Sequence, residues 1–485
     1  MIGTGLHDRD AILPPHGGIL TRAGGAGDSG VTSVNDGAQY DVIVSGAGLA
    51  GSAAAIWFGR AGLRVALLER SPDPDHYKRI CTHEIQASAV PLVEELGLSD
   101  ALTEIGTPRR RVAAYVHPFG WIRPEHAPGE ADARSNYNVR REKIDPMVRR
   151  VAAETPGVDL MLDRRVTGLV RERGRVTGAV ARSRSGATTE IRAGLVVGAD
   201  GRESTVARAS ERRERRFPNG RFVFWSYFDG VELPFAPEAQ TWLLDPDVAY
   251  ALPTDGGLTL LSTMLSSPRL PEYREDAEGL WRRVWSSLPD GPSLDGVRRE
   301  GPFLARLDMT LHKRRPAGGG LALVGDAALN TDPMWGWGCG WALETAKALA
   351  ERTAEALRSG RGLPAALLRY RLWHQARFWS FQSFAAHYAH GRPFTPVQRA
   401  VFKAATLDNT AALRLHSFET AYTGFSAIGS PRAMLHTARV CLADALGSAA
   451  PATGGSDGLS GRRGPLPPGA PSPADRQADN RVLSS

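Results

Sequence analysis

The stretch YDVIVSGAGLAGSAAAIWFGRAGLRVALLER, residues 40–70, decides the fold class of this chain. Residues 40–45 form a β-branched run that predicts a short strand, and residues 52–61 are rich in small side chains and predict a helix. A second apolar run, residues 64–68, predicts another strand and ends at Glu69. A strand, a glycine-rich turn, a helix and a second strand that delivers an acid are typical of a dinucleotide-binding βαβ unit.

The glycines of the turn have separate predicted tasks. Gly46 allows the tight turn, Gly48 lets the backbone approach a pyrophosphate, and Gly51 lets the helix pack closely on the strand. Leu49 and Ala50 open the helix, whose first N–H groups are predicted to bind the phosphates. We therefore expect all five residues to bind the cofactor.

The end of the second strand supplies further candidate binding residues. Glu69 lies about 20 residues after the glycines, where a carboxylate can accept hydrogen bonds from a ribose hydroxyl. Arg70 and Arg79 are added as candidate cofactor-binding residues.

Two later segments also place an acid and a glycine at a strand end. GLVVGADG ends in Asp200 and Gly201, and GLALVGD ends in Gly325 and Asp326. Ligands of open α/β sheets bind outside the carboxyl ends of the strands. These two strand ends and the glycine turn are therefore predicted to meet at one long cofactor.

With these three motifs the chain resembles the FAD-dependent oxidoreductases of the para-hydroxybenzoate hydroxylase and geranylgeranyl reductase superfamily. The resemblance implies FAD as the cofactor, with Asp326 at the ribityl chain and Pro333 near the reactive face of the flavin. Arg141, in YNVRREKID, resembles the arginine of the family's R-x-x-L-D helix start near the cofactor. Gly336 and Gly338 are predicted to let backbone N–H groups of a helix start reach the flavin ring edge.

Details of the later motifs leave the branch of the superfamily open. GDAALNTDPMWGWGCGW lacks the asparagine of the hydroxylase motif G-x-G-x-N and looks more like the reductase and halogenase side. HYKRICTHEIQASAVPLVEELGL, residues 76–98, resembles the K-x-C-G stretch of the reductases, with Thr82 where glycine would stand. The W-x-W-x-I-P string of the flavin halogenases does not occur.

The predicted fold is α/β: a Rossmann-like FAD-binding domain with an inserted antiparallel β-sheet substrate domain and a helical C-terminal region. The predicted divisions are a disordered extension (1–38), the FAD-binding domain (39–210 and 316–360), the β-sheet domain (211–315), the helical region (361–448) and a disordered tail (449–485). The tail assignments rest on proline, glycine and serine content, which cannot bury enough apolar surface to order a chain.

The inserted sheet predicts an apolar substrate pocket over the flavin. Short aromatic runs separated by turns supply three candidate pocket residues, Trp225, Tyr227 and Trp242, with Tyr250 beside them, and the glycine loop supplies Trp335. Alternation along residues 222–228 places Phe222, Phe224, Ser226 and Phe228 on one face and Val223, Trp225 and Tyr227 on the other.

The composition and net charge of the chain limit the classes of function that we expect. The 485 residues are 42% hydrophobic, enough for a sizeable core, and the net charge of +7 lies partly in arginine clusters that predict a solvated face rather than a nucleic-acid site. Three cysteines without metal spacing indicate a cytoplasmic protein and predict no metal. No apolar run is long enough for a transmembrane segment, and residues 1–38 do not predict a secretory signal.

The resemblance implies an NAD(P)H- and O₂-dependent monooxygenase that hydroxylates or epoxidises a small, largely apolar organic molecule. Because only one nucleotide fingerprint is present, NAD(P)H is expected to bind transiently. Alternatives are a carbon–carbon bond reductase, a halogenase and a non-catalytic flavoprotein partner. For the aromatic helices after residue 361, two alternatives stay open: they form a lid, or they form a homodimer face. No acid or base is assigned; Cys81, His83 and Trp337 are candidate catalytic residues.

Overall fold

A computed structural model describes residues 40–127 and 134–448, so the predicted tails at 1–38 and 449–485 lie outside the described residues. The strands are β1 (Tyr40–Ser45), β2 (Val65–Leu68), β3 (Glu84–Ile85), β4 (Arg109–Arg110), β5 (Val112–Val116), β6 (Gly120–Ile122), β7 (Asn136–Asn138), β8 (Val158–Met161), β9 (Arg165–Glu172), β10 (Arg175–Arg182), β11 (Thr188–Gly198), β12 (Glu214–Phe217), β13 (Arg221–Asp229), β14 (Ala239–Leu243), β15 (Val248–Pro253), β16 (Thr259–Ser266), β17 (Arg298–Arg306), β18 (Leu311–Arg314), β19 (Ala317–Gly318) and β20 (Leu321–Leu323).

The helices are α1 (Leu49–Arg60), α2 (Val90–Glu95), α3 (Ser99–Glu104), α4 (Arg141–Glu154), α5 (Thr205–Ala209), α6 (Leu270–Glu275), α7 (Ala277–Ser286), α8 (Trp337–Arg358), α9 (Leu363–Tyr388), α10 (Pro396–Leu407), α11 (Asn409–Glu419), α12 (Ser426–Gly429) and α13 (Pro431–Ser448). The end of α13, from Leu442 onward, belongs to a separate C-terminal unit. Among the helices of residues 40–127 and 134–448, none combines the length and apolar character needed to cross a bilayer.

The first sheet carries the nucleotide-binding topology. Its strand order is β19-β20-β11-β1-β2-β8, and β10 and β9 extend it beside β11. The pairs β20–β11, β11–β1, β1–β2 and β2–β8 are parallel. Because parallel strands share one carboxyl edge, the segments that follow β1, β2, β11 and β20 are brought to the same edge of the sheet.

The strands of this sheet are buried on both faces, as parallel strands usually are. Val42 and Val44 of β1 pack into a cluster with α1, α4 and α8, whereas Ile43 packs into a second cluster on the opposite face. The small residues of α1 allow this helix to lie close to its neighbours, and it packs against both α8 and α4.

The second sheet has the strand order β17-β13-β16-β15-β14-β5-β6. Its pairs are antiparallel except β14–β5, which is parallel. The strands β5 and β6, residues 112–122, fall within the range that the sequence assigns to the FAD-binding domain, yet they complete this sheet. The inserted β-layer is therefore built from two separate parts of the chain.

Side-chain alternation in β13 follows the predicted pattern. Phe222, Phe224 and Phe228 pack against α7, through the cluster that contains Trp281 and Trp285. Val223 and Trp225 join the core on the other face of the sheet. The second sheet thus has one face covered by α7 and one face turned toward the rest of the molecule.

Candidate functional site

The three sequence motifs meet at the carboxyl edge of the first sheet. Gly46 follows β1, Asp200 follows β11, and Gly325 follows β20. The contact between the first two turns is close: a Cβ atom on Gly46 would lie 2.8 Å from the Ala199 carbonyl oxygen. The fold therefore collects residues that lie far apart in sequence at one site.

The first glycine turn tolerates no side chain at two of its positions. Gly46 has a φ of +99°, in the region that favours glycine, and a Cβ on Gly51 would lie 1.8 Å from the Gly46 carbonyl oxygen. A Cβ on Gly48 would meet nothing within 4 Å, so this side of the turn is open. The turn is thus compact where it faces the protein and accessible at Gly48, where Leu49 and Ala50 begin α1.

Glu69 has contacts that the sequence did not predict. One carboxylate oxygen accepts a hydrogen bond from the Ala47 N–H at 2.9 Å, and the other accepts one from the Ser71 N–H at 3.0 Å. The side chain is buried. Glu69 therefore also holds the glycine turn in place, and its ribose contact stays a prediction. Arg70 and Arg79 are exposed, and their cofactor roles also stay predictions.

The central motif organises the start of α5. The Asp200 carboxylate accepts hydrogen bonds from the Ser204 hydroxyl at 2.5 Å and from the Thr205 N–H at 2.7 Å. Gly201, with a φ of +78°, allows the chain to turn between the two. The carboxylate thereby fixes the loop beside the first glycine turn.

The third motif contains an ion pair. Asp326 accepts a hydrogen bond from the Lys78 ammonium at 2.7 Å, and both side chains are partly exposed. The Asp326 carboxylate raises the pKa of Lys78. Gly325 adopts a φ of +55°, and a Cβ there would lie 3.1 Å from the Cβ of Ala50 on α1. The third motif and the first helix are thus in close contact.

Arg141 lies buried at the start of α4, beside two cysteines. Its guanidinium is 2.7 Å from Asp145 and donates to the Cys81 and Cys339 sulfurs at 3.6 and 3.9 Å. The two sulfurs are 3.8 Å apart. The hydrogen bond from Cys339, a contribution from His83 and the Arg141 charge hold the pKa of the Cys81 thiol well below its ordinary value, although burial opposes them.

The other two candidate catalytic residues also lie in this part of the molecule. His83, with a φ of +71°, contacts the Tyr227 hydroxyl through its Nε2, and the two rings stack with centroids 5.7 Å apart. Trp337 is fully buried between Trp335 and Trp341, and its indole N–H donates to the Glu419 carbonyl oxygen at 2.7 Å. These contacts give Trp337 a structural function in the core.

Two helix starts near these motifs fit an anionic dinucleotide. Gly48 precedes α1 and Gly336 precedes α8 as the N-cap residues, so neither position has a side chain that accepts a hydrogen bond from the first helix N–H groups. By contrast, Ser204 caps α5 through its side chain. Space for a Cβ is open at Gly48, Gly201 and Gly338. Uncapped N–H groups beside open glycine backbone are the features that bind phosphates and other electron-rich groups, so this edge fits FAD.

A single 3₁₀ turn, Pro333–Trp335, connects the third motif to α8. Asp332, just before it, accepts hydrogen bonds from the Arg221 guanidinium and the Asn219 amide, both at 2.8 Å, and from the Met334 N–H at 3.0 Å. Both members of the Arg221–Asp332 pair have fully buried side chains. The pair fixes the turn to the start of β13.

A partly open cavity lies between this turn, the second sheet and the end of α11. Its apolar wall includes Val112, Ala114, Leu243, Leu252, Met334 and Trp335. Its polar groups include Glu84, Gln86, Asn136, Tyr250, His416 and Glu419. An apolar wall combined with polar side chains that can orient a bound group suits a small-molecule ligand.

The carboxyl groups in the cavity hold protons near neutral pH. Burial raises the pKa of Glu84 to about 7, against a 2.6 Å hydrogen bond from the Asn136 amide that favours the charged form. Burial, together with the charge of Glu84, raises the pKa of Glu419 to about 8. Burial lowers the pKa of His416 to about 4, so this imidazole is neutral. Groups that gain and lose protons near neutral pH can act as general acids or bases.

The structure brings only part of the predicted substrate pocket to this cavity. Trp335 and Tyr250 line it. Trp225 and Tyr227 point to the same side of the sheet but do not form the cavity wall. The predicted place of Trp242 in the pocket is corrected by the structure. Its neighbours in β14, Thr241 and Leu243, face the cavity, so the Trp242 side chain lies on the opposite face of the sheet, against Trp121 and Trp285.

Sequence reasoning missed Glu84, His416 and Glu419. Glu84 lies within residues 76–98, the segment that already contained two candidate catalytic residues, and its position directly after His83 was a usable signal. His416 and Glu419 have no such signal, because nothing in the helical pattern of α11 distinguishes them from surface residues.

Comparisons with known proteins agree with this site. A family model described as FAD binding domain matches residues 39–224. The kynurenine 3-monooxygenase of Salinispora arenicola is 30% identical over 332 residues, which cover 64% of this chain and 71% of that protein. The digeranylgeranylglycerophospholipid reductase 1 of Methanococcoides burtonii is 28% identical over 331 residues, which cover 66% and 75%.

The structure also resembles the myxobacterial chondrochloren halogenase CndH, a FAD-dependent halogenase, with a TM-score of 0.64 and 20% identity over 83% of this chain and 97% of that chain. This similarity shows the fold alone. Together, the domain match and the monooxygenase relative establish FAD as the cofactor, with NAD(P)H as the co-substrate typical of the family. The chain therefore belongs to the superfamily of FAD-dependent oxidoreductases and monooxygenases, and it is a FAD-dependent oxidoreductase.

Proposed function

We propose that this protein is a FAD-dependent monooxygenase that uses NAD(P)H and O₂ to hydroxylate or epoxidise a small, largely apolar organic substrate. The observation that carries the proposal is the cavity beside the Pro333–Trp335 turn, which combines an apolar wall with carboxyl groups that hold protons near neutral pH. FAD, when bound, would supply the redox chemistry, namely the acceptance of hydride from NAD(P)H and the reaction with O₂.

The binding residues proposed for FAD are those collected at the sheet edge. The backbone from Gly46 to Gly51 and the start of α1 would hold the phosphates, and Asp326 would hold the ribityl chain after release from Lys78. Arg141, Pro333 and the start of α8, with Gly336 and Gly338, would lie at the flavin ring. The uncapped helix starts and the open glycine positions support this assignment.

The chain's own residues would orient the substrate, exclude water and move protons. Leu243, Leu252 and Trp335 would hold an apolar body and keep water out. Glu84 and Glu419 would give or take a proton at a substrate oxygen or nitrogen atom. His83 and Cys81 lie outside the cavity wall, so we assign them no proton transfer.

A second candidate function is reduction of a carbon–carbon double bond. Saturating a double bond requires a proton donor as well as a hydride, and the neutral carboxyl groups of Glu84 and Glu419 can supply that proton. The similarity to a digeranylgeranylglycerophospholipid reductase supports the same reading.

Oxidation of NADH and NADPH by the FAD-loaded protein tests both functions, across a panel of phenols, indoles, polyketides and isoprenoids. A monooxygenase consumes O₂ in proportion to substrate, and mass spectrometry with isotopically labelled O₂ finds one labelled oxygen in the product. A product that gains two hydrogens in anaerobic buffer would overturn monooxygenation and support reduction. Glu84→Gln is expected to slow turnover, whereas Glu355→Gln, on the exposed end of α8, serves as a matched control.

A further inference from the structure

Among the described residues that line the cavity, the side chains that can be charged near neutral pH are acidic. Glu84 comes from β3, Glu419 from the end of α11, and the charge of Glu84 acts on Glu419. Among the described residues that line the cavity, none is a lysine or an arginine. Two carboxyl groups thus face this cavity without a lysine or an arginine among its described lining residues.

Two further buried groups on the same wall lack a hydrogen-bond partner among the described residues. Gln86 donates its amide N–H to the Trp335 carbonyl oxygen at 2.6 Å, but its Oε1 accepts no hydrogen bond. The Nε2 of His416 is likewise unpartnered. Both side chains are 4% exposed. A buried polar atom without a partner costs roughly 1–3 kcal/mol, so a ligand group that satisfies such an atom in a cavity gains this free energy on binding.

We propose that the substrate of this cavity carries a protonated amine, whose N–H groups are bound by Glu84, Glu419 and the Oε1 of Gln86. This inference rests on the proposed function and names the substrate class of its site. The rest of the substrate is apolar and lies against Leu243, Leu252 and Trp335.

An ammonium ion fits the cavity better than the other common polar groups. At pH values above the pKa values of Glu84 and Glu419, a carboxylate would meet two negative charges and no lining cation, so it would be repelled. A neutral hydroxyl could satisfy Gln86, but it would leave the carboxyl groups without charge compensation once they ionise. A cation stabilises the charged form of both carboxyls and offsets the burial that raises their pKa values.

Other titratable groups around the pair do not reverse this balance. Tyr250 faces the same cavity from β15, and burial raises the pKa of its hydroxyl, which keeps it neutral. Burial lowers the pKa of His416 most, and the charges of His126, Arg134 and Arg111, which lie outside the cavity lining, lower it further, so the imidazole is neutral.

The sign of the pH dependence follows from these pKa values. In the free protein, Glu84 and Glu419 lose their protons around pH 7 to 8. A bound cation lowers the pKa values of both carboxyls, so binding of the amine releases protons when the pH is below 7 to 8. Affinity for an amine should therefore rise by at least about tenfold from pH 6 to pH 8, since each pKa unit corresponds to a factor of ten. Affinity for a neutral alcohol should change little.

Ligand titrations of the FAD-loaded protein test the proposal without turnover. Matched sets share one apolar body and differ only at the tip, for example tryptamine, tryptophol and indolepropionate, with phenethylamine and alkylamine sets beside them. Binding is measured as a change in the flavin absorbance spectrum, and calorimetry in buffers of different ionisation enthalpy measures proton release. We expect the amine of at least one set to bind at least about tenfold more tightly than its alcohol, at pH 8.

Tighter binding of the alcohols or carboxylates, or no binding by any amine, would overturn the proposal. Glu419→Gln and Glu84→Gln should each remove the amine preference and keep alcohol binding, while Glu355→Gln should leave both unchanged. The wild-type series remains decisive if a buried variant misfolds. These binding measurements need neither NAD(P)H nor O₂, so they are independent of the proposed reaction. Amine binding without oxygen transfer would refute only the proposed monooxygenation. Oxygen transfer to a neutral substrate would refute only the proposal that the substrate carries an amine.

Discussion

Replacing Asp332 by alanine is expected to destabilise the protein strongly, because it leaves the Arg221 guanidinium charged and buried. Both side chains are fully buried, and Asp332 accepts hydrogen bonds from Arg221, Asn219 and the Met334 N–H. Removing one member of such a pair costs about 3–5 kcal/mol. Total folding free energies are only about 5–15 kcal/mol, so this is a large fraction of the stability.

Urea unfolding of the FAD-loaded protein, followed by far-UV circular dichroism and by flavin fluorescence, measures the effect. With a slope of about 3 kcal/mol per M, the loss corresponds to a fall in the midpoint of about 1–1.7 M. The double replacement Arg221→Met with Asp332→Ala removes both charges and should recover much of the loss.

An exposed ion pair provides the matched control. Glu355 and Arg358 are 2.7 Å apart on α8 but lie largely in solvent, so Glu355→Ala should change the free energy of unfolding by less than about 0.5 kcal/mol. If Asp332→Ala moved the midpoint no further than this control, the buried pair would not stabilise the turn as argued. The same conclusion would follow if the double replacement were less stable than the single one.

Three further outcomes are expected. Gly51→Ala places a methyl group against the Gly46 carbonyl oxygen, so the purified protein should lose its flavin and its yellow colour; full flavin stoichiometry would contradict the close approach. Asp326→Ala should weaken FAD retention at least about tenfold in equilibrium dialysis, as expected for a lost charged hydrogen-bond partner, while Lys78→Met should weaken it less. The pKa of Cys81 is depressed in the folded state, so its thiolate stabilises the fold fully at pH values above the unfolded pKa and loses this effect as the pH falls. The stability difference between the wild type and Cys81→Ser should therefore be larger at pH 8.5 than at pH 6 in urea unfolding, and an equal or inverted difference would refute it.

The nucleotide-binding part of the fold was predictable because its signals are local. The turn from Gly46 to Gly51 needs glycine for steric reasons that a sequence displays directly, and the apolar runs before Asp200 and Gly325 mark the neighbouring strands. Parallel pairing then brings the three turns together without further information.

The walls of the cavity were less predictable because they depend on contacts between distant segments. Alternation shows that Thr241 and Trp242 lie on opposite faces of β14, but only the packing of α7 decides which face is covered. Glu84 and Glu419 come together through the packing of α11 near β3, which no periodicity encodes. Glu69 shows a different limit: its position was predicted, but its hydrogen bonds to the glycine turn depend on atomic geometry.

The pairing of β5 with β14 limits how this enzyme can be recombined with its relatives. The five residues of β14 pair in parallel with residues 112–116, which precede them by more than a hundred positions in the chain. A chimera that exchanged only residues 211–315 would pair a foreign β14 with the native β5 in the wall of the cavity. Exchange of substrate preference between relatives therefore requires two segments to be transplanted together, as one interlocking module.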